Sequence, residues 1–154
     1  MTLKSMTDYS DLTEIKGFFG PYRWLSNFCL ADVEYSGVMY RSNEHAYQAA
    51  KTLSERERAW FTDPKTTCGK AKRLGLVVTM RDDWNEIKYS VMYDLNRQKY
   101  FNHEDLKQML LDTGMMYLEE TNTWGDRYWG VCDGVGENNL GKILMQIRKE
   151  LKNG

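Results

Sequence analysis

The sequence predicts an α+β fold: a mainly helical single domain with a small antiparallel β part near the N-terminus. Three observations point there. A chain of 154 residues and 18.1 kDa, 42% hydrophobic and 28% charged, has the size and balance of one ordinary globular domain. Its strand-like runs fall in the first third, and apolar residues at helical spacing dominate from Ser42 onward. Residues 1–12 lack periodicity and are expected to form a flexible N-terminal arm, leaving residues 13–154 as the domain.

The elements follow in order. Ile15–Phe19 is a short strand-like run, and Pro21–Phe28 mixes aromatic and polar residues without a period, as an ordered loop does. Leu30–Tyr40 has strand character on both sides of Ser36-Gly37, a hairpin-turn pair. Ser42 or Asn43 can cap a helix running to about Thr52. A shorter helix spans Glu55–Phe61, ended by Asp63-Pro64. Thr66 or Thr67 can cap Cys68–Leu74, which Gly75 closes. In the clearest helix, Asp82 or Asp83 to Phe101, the residues Trp84, Ile87, Val91, Leu95 and Gln98 fall near one stripe. His103–Thr113 is a further amphipathic helix and Tyr117–Glu120 a short strand. A loop rich in Gly and Asn covers Thr121–Asn139, before a last helix with Leu140, Ile143, Leu144, Ile147 and Leu151 at helical spacing.

A net charge of −1 excludes a generally basic nucleic-acid coat or a polybasic membrane binder. Cys29, Cys68 and Cys132 are scattered, and the histidines are His45 and His103, so no metal-ligand spacing is visible and a reducing compartment is expected. The N-terminal stretch has no apolar signal-peptide core, and no run reaches the length of a membrane span. These features predict a cytoplasmic protein without a membrane partner.

Three constellations can carry chemistry. Glu44, Gln48 and Lys51 stand at i, i+4 and i+7, so a carboxylate, an amide and an ammonium share one helix face, with Tyr47 beside them. They are either a solvated face with a weak ion pair or the polar wall of a cleft. Thr123–Gly130 places Trp124 and Trp129 close to Asp126, and Gly134, Gly136, Asn138, Asn139 and Gly141 then lead into the last helix. Free N–H groups at that helix start favour an anion such as phosphate, unless the asparagines merely cap the helix and the glycines serve turns. The stretch from Pro64 to Arg81 holds Lys65, Lys70, Lys72, Arg73 and Arg81 and no acid, suited to a polyanion or to plain solvation. Cys68 lies among bases that could lower its pKa, but no histidine is near it in sequence, which argues against a catalytic thiol.

Leu25-Ser26-Asn27-Phe28, Ser42-Asn43-Glu44-His45-Ala46-Tyr47-Gln48-Ala49-Ala50-Lys51, Arg81-Asp82-Asp83-Trp84, Asp126–Gly130 and Gly136–Gly141 occur in that order. Together they resemble the NADAR (YbiA-like) superfamily from about Gly17 to the C-terminus. The resemblance implies a YbiA-like fold and an N-glycosidase that hydrolyses a ribosyl C–N bond. Two substrate classes are attached to it: ADP-ribose on guanine in nucleic acid, and a phosphoribosylamino-pyrimidine intermediate of riboflavin synthesis. The family's functional glutamate falls on Glu44, its tryptophan on Trp84 and its aspartate on Asp126. Such a cleavage builds an oxocarbenium-like cation that a buried carboxylate stabilises, without metal or cofactor.

Glu44 is expected to orient water and stabilise the cation, and Asp126 to hold ribose hydroxyls or supply a proton, or the reverse, the two converging in one aromatic-walled hollow. Trp84 and Trp129 would stack on base or sugar, and Arg23 and Lys51 would contact phosphate. Asn27, Tyr47, Gln48, Gly130, Gly136 and Asn138 complete the expected substrate-binding set. The expected partners are an ADP-ribosyl or phosphoribosyl substrate, with modified DNA or RNA as a carrier of the former. The competing reading is a non-catalytic ADP-ribose or nucleotide-binding module.

Overall fold

The computed structural model describes residues 13–154, so the expected arm, residues 1–12, lies outside the described residues. In chain order the elements are β1 (Glu14–Lys16), a 3-10 helix (Gly20–Leu25), β2 (Leu30–Tyr35), β3 (Val38–Ser42), α1 (Asn43–Ala50), α2 (Glu55–Ala59) and α3 (Cys68–Leu74). They continue with α4 (Trp84–Asn102), α5 (Glu104–Asp112), β4 (Tyr117–Glu119), β5 (Thr121–Asn122), β6 (Val131–Cys132) and α6 (Asn139–Asn153). The chain is thus a mixture of helix and strand. It divides into two compact units, a central one of residues 27–99 and a terminal one of residues 13–26 with 100–154. No helix among the described residues is long and apolar enough to cross a membrane.

In the central unit, β2 and β3 form the antiparallel hairpin, pairing Val33 with Tyr40 and Tyr35 with Val38. Ser36 and Gly37 both have positive φ, 50° and 82°, the conformation that matches a two-residue turn to strand twist. Glu34 accepts the Gly37 N–H at 2.6 Å. Val33 and Tyr40, side by side on the pleat, are both buried, whereas Val38 and Met39 are exposed. Strand β3 runs straight into α1, whose cap is Ser42: its Oγ accepts the His45 N–H at 3.2 Å. Ala46, Ala49 and Ala50 are fully buried and let α1 lie close to the hairpin, α2 and α3. Thr67 caps α3 by accepting the Lys70 N–H at 3.1 Å.

The terminal unit pairs β1 with β4 in parallel, setting buried Ile15 opposite buried Leu118. Helix α6 covers β4 and α5 with the expected stripe of Leu140, Ile143, Leu144, Ile147 and Leu151, all buried. Two local expectations change here. The stretch Pro21–Phe28 begins as a 3-10 helix rather than a loop, with a proline at its start where a missing N–H costs nothing. It is held by Tyr100, whose hydroxyl donates to the Trp24 carbonyl at 3.1 Å. The stretch Thr121–Asn139 is not wholly loop, because β5 and β6 pair in parallel within it. Strands two residues long leave too little sequence for a period of two to show.

Candidate active site

All eight residues of α1 are buried, among them the polar Asn43, Glu44, His45 and Gln48. Such groups need partners to be stable inside a protein. The Asn43 amide donates to the Asn27 side chain at 3.1 Å and to Asn96 at 2.9 Å. Asn27 is thereby tied to α1 and α4, and its own amide donates to Met92 Sδ at 3.4 Å.

His45 Nε2 lies 2.7 Å from the Thr66 carbonyl, and its Nδ1 lies 2.6 Å from Ser42 Oγ. Arg41 Nη2, a donor, also approaches Nε2 at 3.3 Å, but the Thr66 carbonyl, which can only accept, is closer, so the shorter contact assigns the proton to Nε2 and makes Nδ1 the acceptor. Burial lowers the His45 pKa, and the Arg41 guanidinium pushes the same way, which keeps the ring neutral near pH 7. Arg41 donates to the carbonyls of Asp63, Pro64 and Thr66, so Arg41 and His45 together gather the turn before α3.

This fold also brings His45 to Cys68, which sequence separation concealed: Sγ is 3.9 Å from Nδ1. The thiol reaches the Phe28 carbonyl and Ser42 Oγ, each at 3.4 Å.

The adjoining face of α1 is organised around Glu44. Gln48 Nε2 donates to Glu44 Oε1 at 2.8 Å, one helical turn away. Tyr47 and Trp84, both buried, meet with ring centroids 5.0 Å apart and planes at 59°. Lys51, half-buried at the end of α1, lays its ammonium 5.7 Å from the Tyr47 ring centre. Burial lowers the Lys51 pKa, the Glu44 carboxylate opposes that shift, and the Lys88 ammonium reinforces it. A carboxylate, an amide, an ammonium and two aromatic rings thus come together within the central unit.

The sequence reading missed two residues here. Lys88 stands four residues after Trp84 on α4, a helical spacing that could have revealed it. Gly75 is adjacent to Gln48 only through tertiary packing. Arg81 leaves the expected basic stretch, because its guanidinium bonds both oxygens of Asp83, at 2.6 and 3.1 Å. Lys65, Lys70, Lys72 and Arg73 are exposed.

The remaining expected residues lie in the terminal unit. Arg23 is exposed on the 3-10 helix. Asp126 is half-buried, and its Oδ1 accepts the N–H groups of Tyr128 and Trp129 at 3.2 and 2.9 Å. Asn122 brackets it, donating to the Asp126 carbonyl at 2.8 Å and accepting its N–H at 3.0 Å. Trp129 is half-buried against Tyr128.

The expected phosphate cradle at the start of α6 is filled by the chain itself. The N–H groups of Asn138, Asn139 and Leu140 donate to the carbonyls of Gly130, Tyr128 and Trp129. Asn138, with φ 54°, does not cap α6 with its side chain; that amide accepts the Glu120 N–H and donates to the Leu118 carbonyl. A Cβ on Gly130 would fall 2.1 Å from the Glu120 carbonyl oxygen, and one on Gly136 2.1 Å from that of Gly130. The close approaches that these glycines permit are therefore to backbone. Among the described residues, no three His, Cys, Asp or Glu side chains gather so as to hold a metal ion.

The chain as a whole has known counterparts. The fold matches the NMR structure of the Escherichia coli protein YbiA with a TM-score of 0.79 and 28% identity, over 96% of this chain and 93% of that one. An N-glycosidase of Nostoc punctiforme is 33% identical over 138 residues, which cover 86% of this chain and 88% of the relative. A riboflavin biosynthesis protein of Vibrio vulnificus is 35% identical over 132 residues, 84% of this chain but 35% of that protein. The NADAR domain model matches residues 16–152. The chain belongs to the NADAR domain family.

Proposed function

We propose that the protein is a metal-independent N-glycosidase that hydrolyses a ribosyl C–N bond, with Glu44 as its central catalytic residue. One observation carries the reading: Glu44 is buried, held by Gln48, beside an aromatic pair and an ammonium. The names of the Nostoc and YbiA relatives, both N-glycosidases, support it.

The chemistry follows from charge. As the C1′–N bond lengthens, its electron pair leaves with the nitrogen and the sugar becomes an oxocarbenium-like cation. A carboxylate shielded from water stabilises that cation more strongly than an exposed one could. Water adds at C1′ and its proton passes to the Glu44 carboxylate, while the departing nitrogen takes up a proton from solvent; Glu44 then returns its own proton to solvent, which closes the cycle. The Gln48 N–H fixes one carboxylate oxygen, so Glu44 needs little rearrangement when charge develops. Trp84 and Tyr47 offer flat walls to base or sugar, and Lys51 is the phosphate contact. Asp126 orders the 126–129 turn that presents Trp129.

Two substrates fit this chemistry. Removal of ADP-ribose from an ADP-ribosylated guanine is favoured by the exposed Lys65, Lys70, Lys72 and Arg73, which suit a nucleic-acid carrier. Cleavage of a phosphoribosylamino-pyrimidine is favoured by the relatives named for riboflavin biosynthesis. A product assay on an ADP-ribosyl-guanine oligonucleotide beside a phosphoribosylamino-pyrimidine decides between them. Release from either one that disappears in Glu44→Gln supports the reading. Calorimetric binding of ADP-ribose without release from either substrate would make the protein a binding module instead.

A further inference from the structure

Gly75 closes α3 with φ −59°, an ordinary helical conformation in which any residue fits. Alanine adopts that backbone without strain, so no conformational need calls for glycine. Space does. A Cβ on Gly75 would fall 1.8 Å from Gln48 Oε1 and 2.5 Å from Cδ. Gln48 is 5% exposed and its Oε1 has no hydrogen-bond partner, an arrangement that costs free energy. The oxygen lies where the Cα hydrogen of Gly75 points, leaving it a weak C–H contact. In this pose the opposite end of the amide meets the carboxylate, with Nε2 2.8 Å from Glu44 Oε1.

We propose that Gly75 is a positioning residue for Glu44. Its missing side chain is the space that lets the Gln48 amide lie with its N–H on the carboxylate, and any Cβ there turns the amide away. The inference rests on the assignment of Glu44 under Proposed function. It adds that a residue 31 positions further along the chain, on a different helix, sets the orientation of the carboxylate through Gln48.

The test is a double-mutant cycle on the full chain, with kcat and KM measured on whichever ribosyl substrate the protein cleaves. Gly75→Ala should lower kcat about 10- to 100-fold, the scale of one hydrogen bond to a charged group, with KM within about threefold of wild type. Gln48→Ala should do the same. The double variant should be no slower than Gln48→Ala, because the clash disappears with the side chain. Gly69→Ala on the same helix is the control: its Cβ would meet Arg73 Nη1 at 3.7 Å, an ordinary contact, and kcat should stay unchanged.

Full activity in Gly75→Ala overturns the proposal, as does an equal loss from Gly75→Ala with or without Gln48. If Gly75→Ala does not fold, the double variant decides: recovery of folding with the rate of Gln48→Ala supports the proposal, and failure to recover overturns it. Glu44→Gln, measured in parallel, separates the two readings. Its loss beside a neutral Gly75→Ala defeats this inference alone, whereas its full activity defeats the catalytic role of Glu44.

Discussion

Helix α1 and the segment 117–141 are equally conspicuous as motifs, yet their polar groups meet different partners. In 117–141 the start of α6 donates to backbone carbonyls, Asn138 ties Glu120 to Leu118, and Asp126 holds its own turn. Helix α1 divides its polar residues between two tasks. Asn43 and His45 hold the surrounding chain, while Glu44, Gln48 and Lys51 form a charged cluster beside two aromatic rings, with Gln48 Oε1 unpartnered. A recognisable motif therefore does not by itself say what its polar groups bond to.

The largest effect that can break this contrast is on Glu44. Glu44→Gln keeps the shape and removes the charge, so turnover should fall about 1,000-fold in a product-release assay, with the thermal midpoint nearly unchanged. In 117–141 the corresponding effect should be on stability. Gly141→Ala would place a Cβ 2.1 Å from the Leu118 carbonyl oxygen and 2.4 Å from the Asn138 amide nitrogen, and should cost about 2–3 kcal/mol in denaturant unfolding. A stability like that of wild type would show that this packing is looser than the distances imply. Lys51→Gln should raise KM about tenfold while kcat changes less, because it removes a binding charge and leaves the carboxylate in place.

The smallest effects lie in acid. The folded pKa of His45 is depressed by burial below its ordinary 6.5, and that of Glu57 is held below its ordinary 4.5, first by the Thr52 hydroxyl and next by the Thr79 N–H. In both cases the unfolded chain binds the proton more readily, so stability falls as pH drops. The His45 contribution is fully present above 6.5 and declines as pH falls from there toward the depressed folded value. The Glu57 contribution is present above 4.5 and is lost as pH falls through the depressed carboxylate value. Denaturant midpoints at about pH 7.5, 5.5 and 3.5 should show two successive losses. His45→Gln should flatten the upper one and Glu57→Gln the lower.

Much of the fold was legible because its signals are local. Ser42 or Asn43 marked the start of α1, which the structure caps with Ser42; Ser36-Gly37 marked the hairpin turn, and the leucines and isoleucines of α6 marked its buried stripe. Strands of two or three residues were less legible, since pairing with a distant segment creates them. The site divided in the same way. Spacing placed Glu44, Gln48 and Lys51 on one face, but it also advertised free N–H groups at the start of α6 that carbonyls ten or so residues upstream had already claimed. Nothing local set Cys68 beside His45 or Gly75 beneath Gln48.

Most helix starts to within a residue, the apolar faces and the family that the motif order resembles are legible along the chain, because caps, periodicity and turns act over a few residues. Packing set which polar groups meet one another. Hydrogen bonds and steric space are shared among segments far apart along the chain, and only their packing settles which donors and acceptors find partners within the fold.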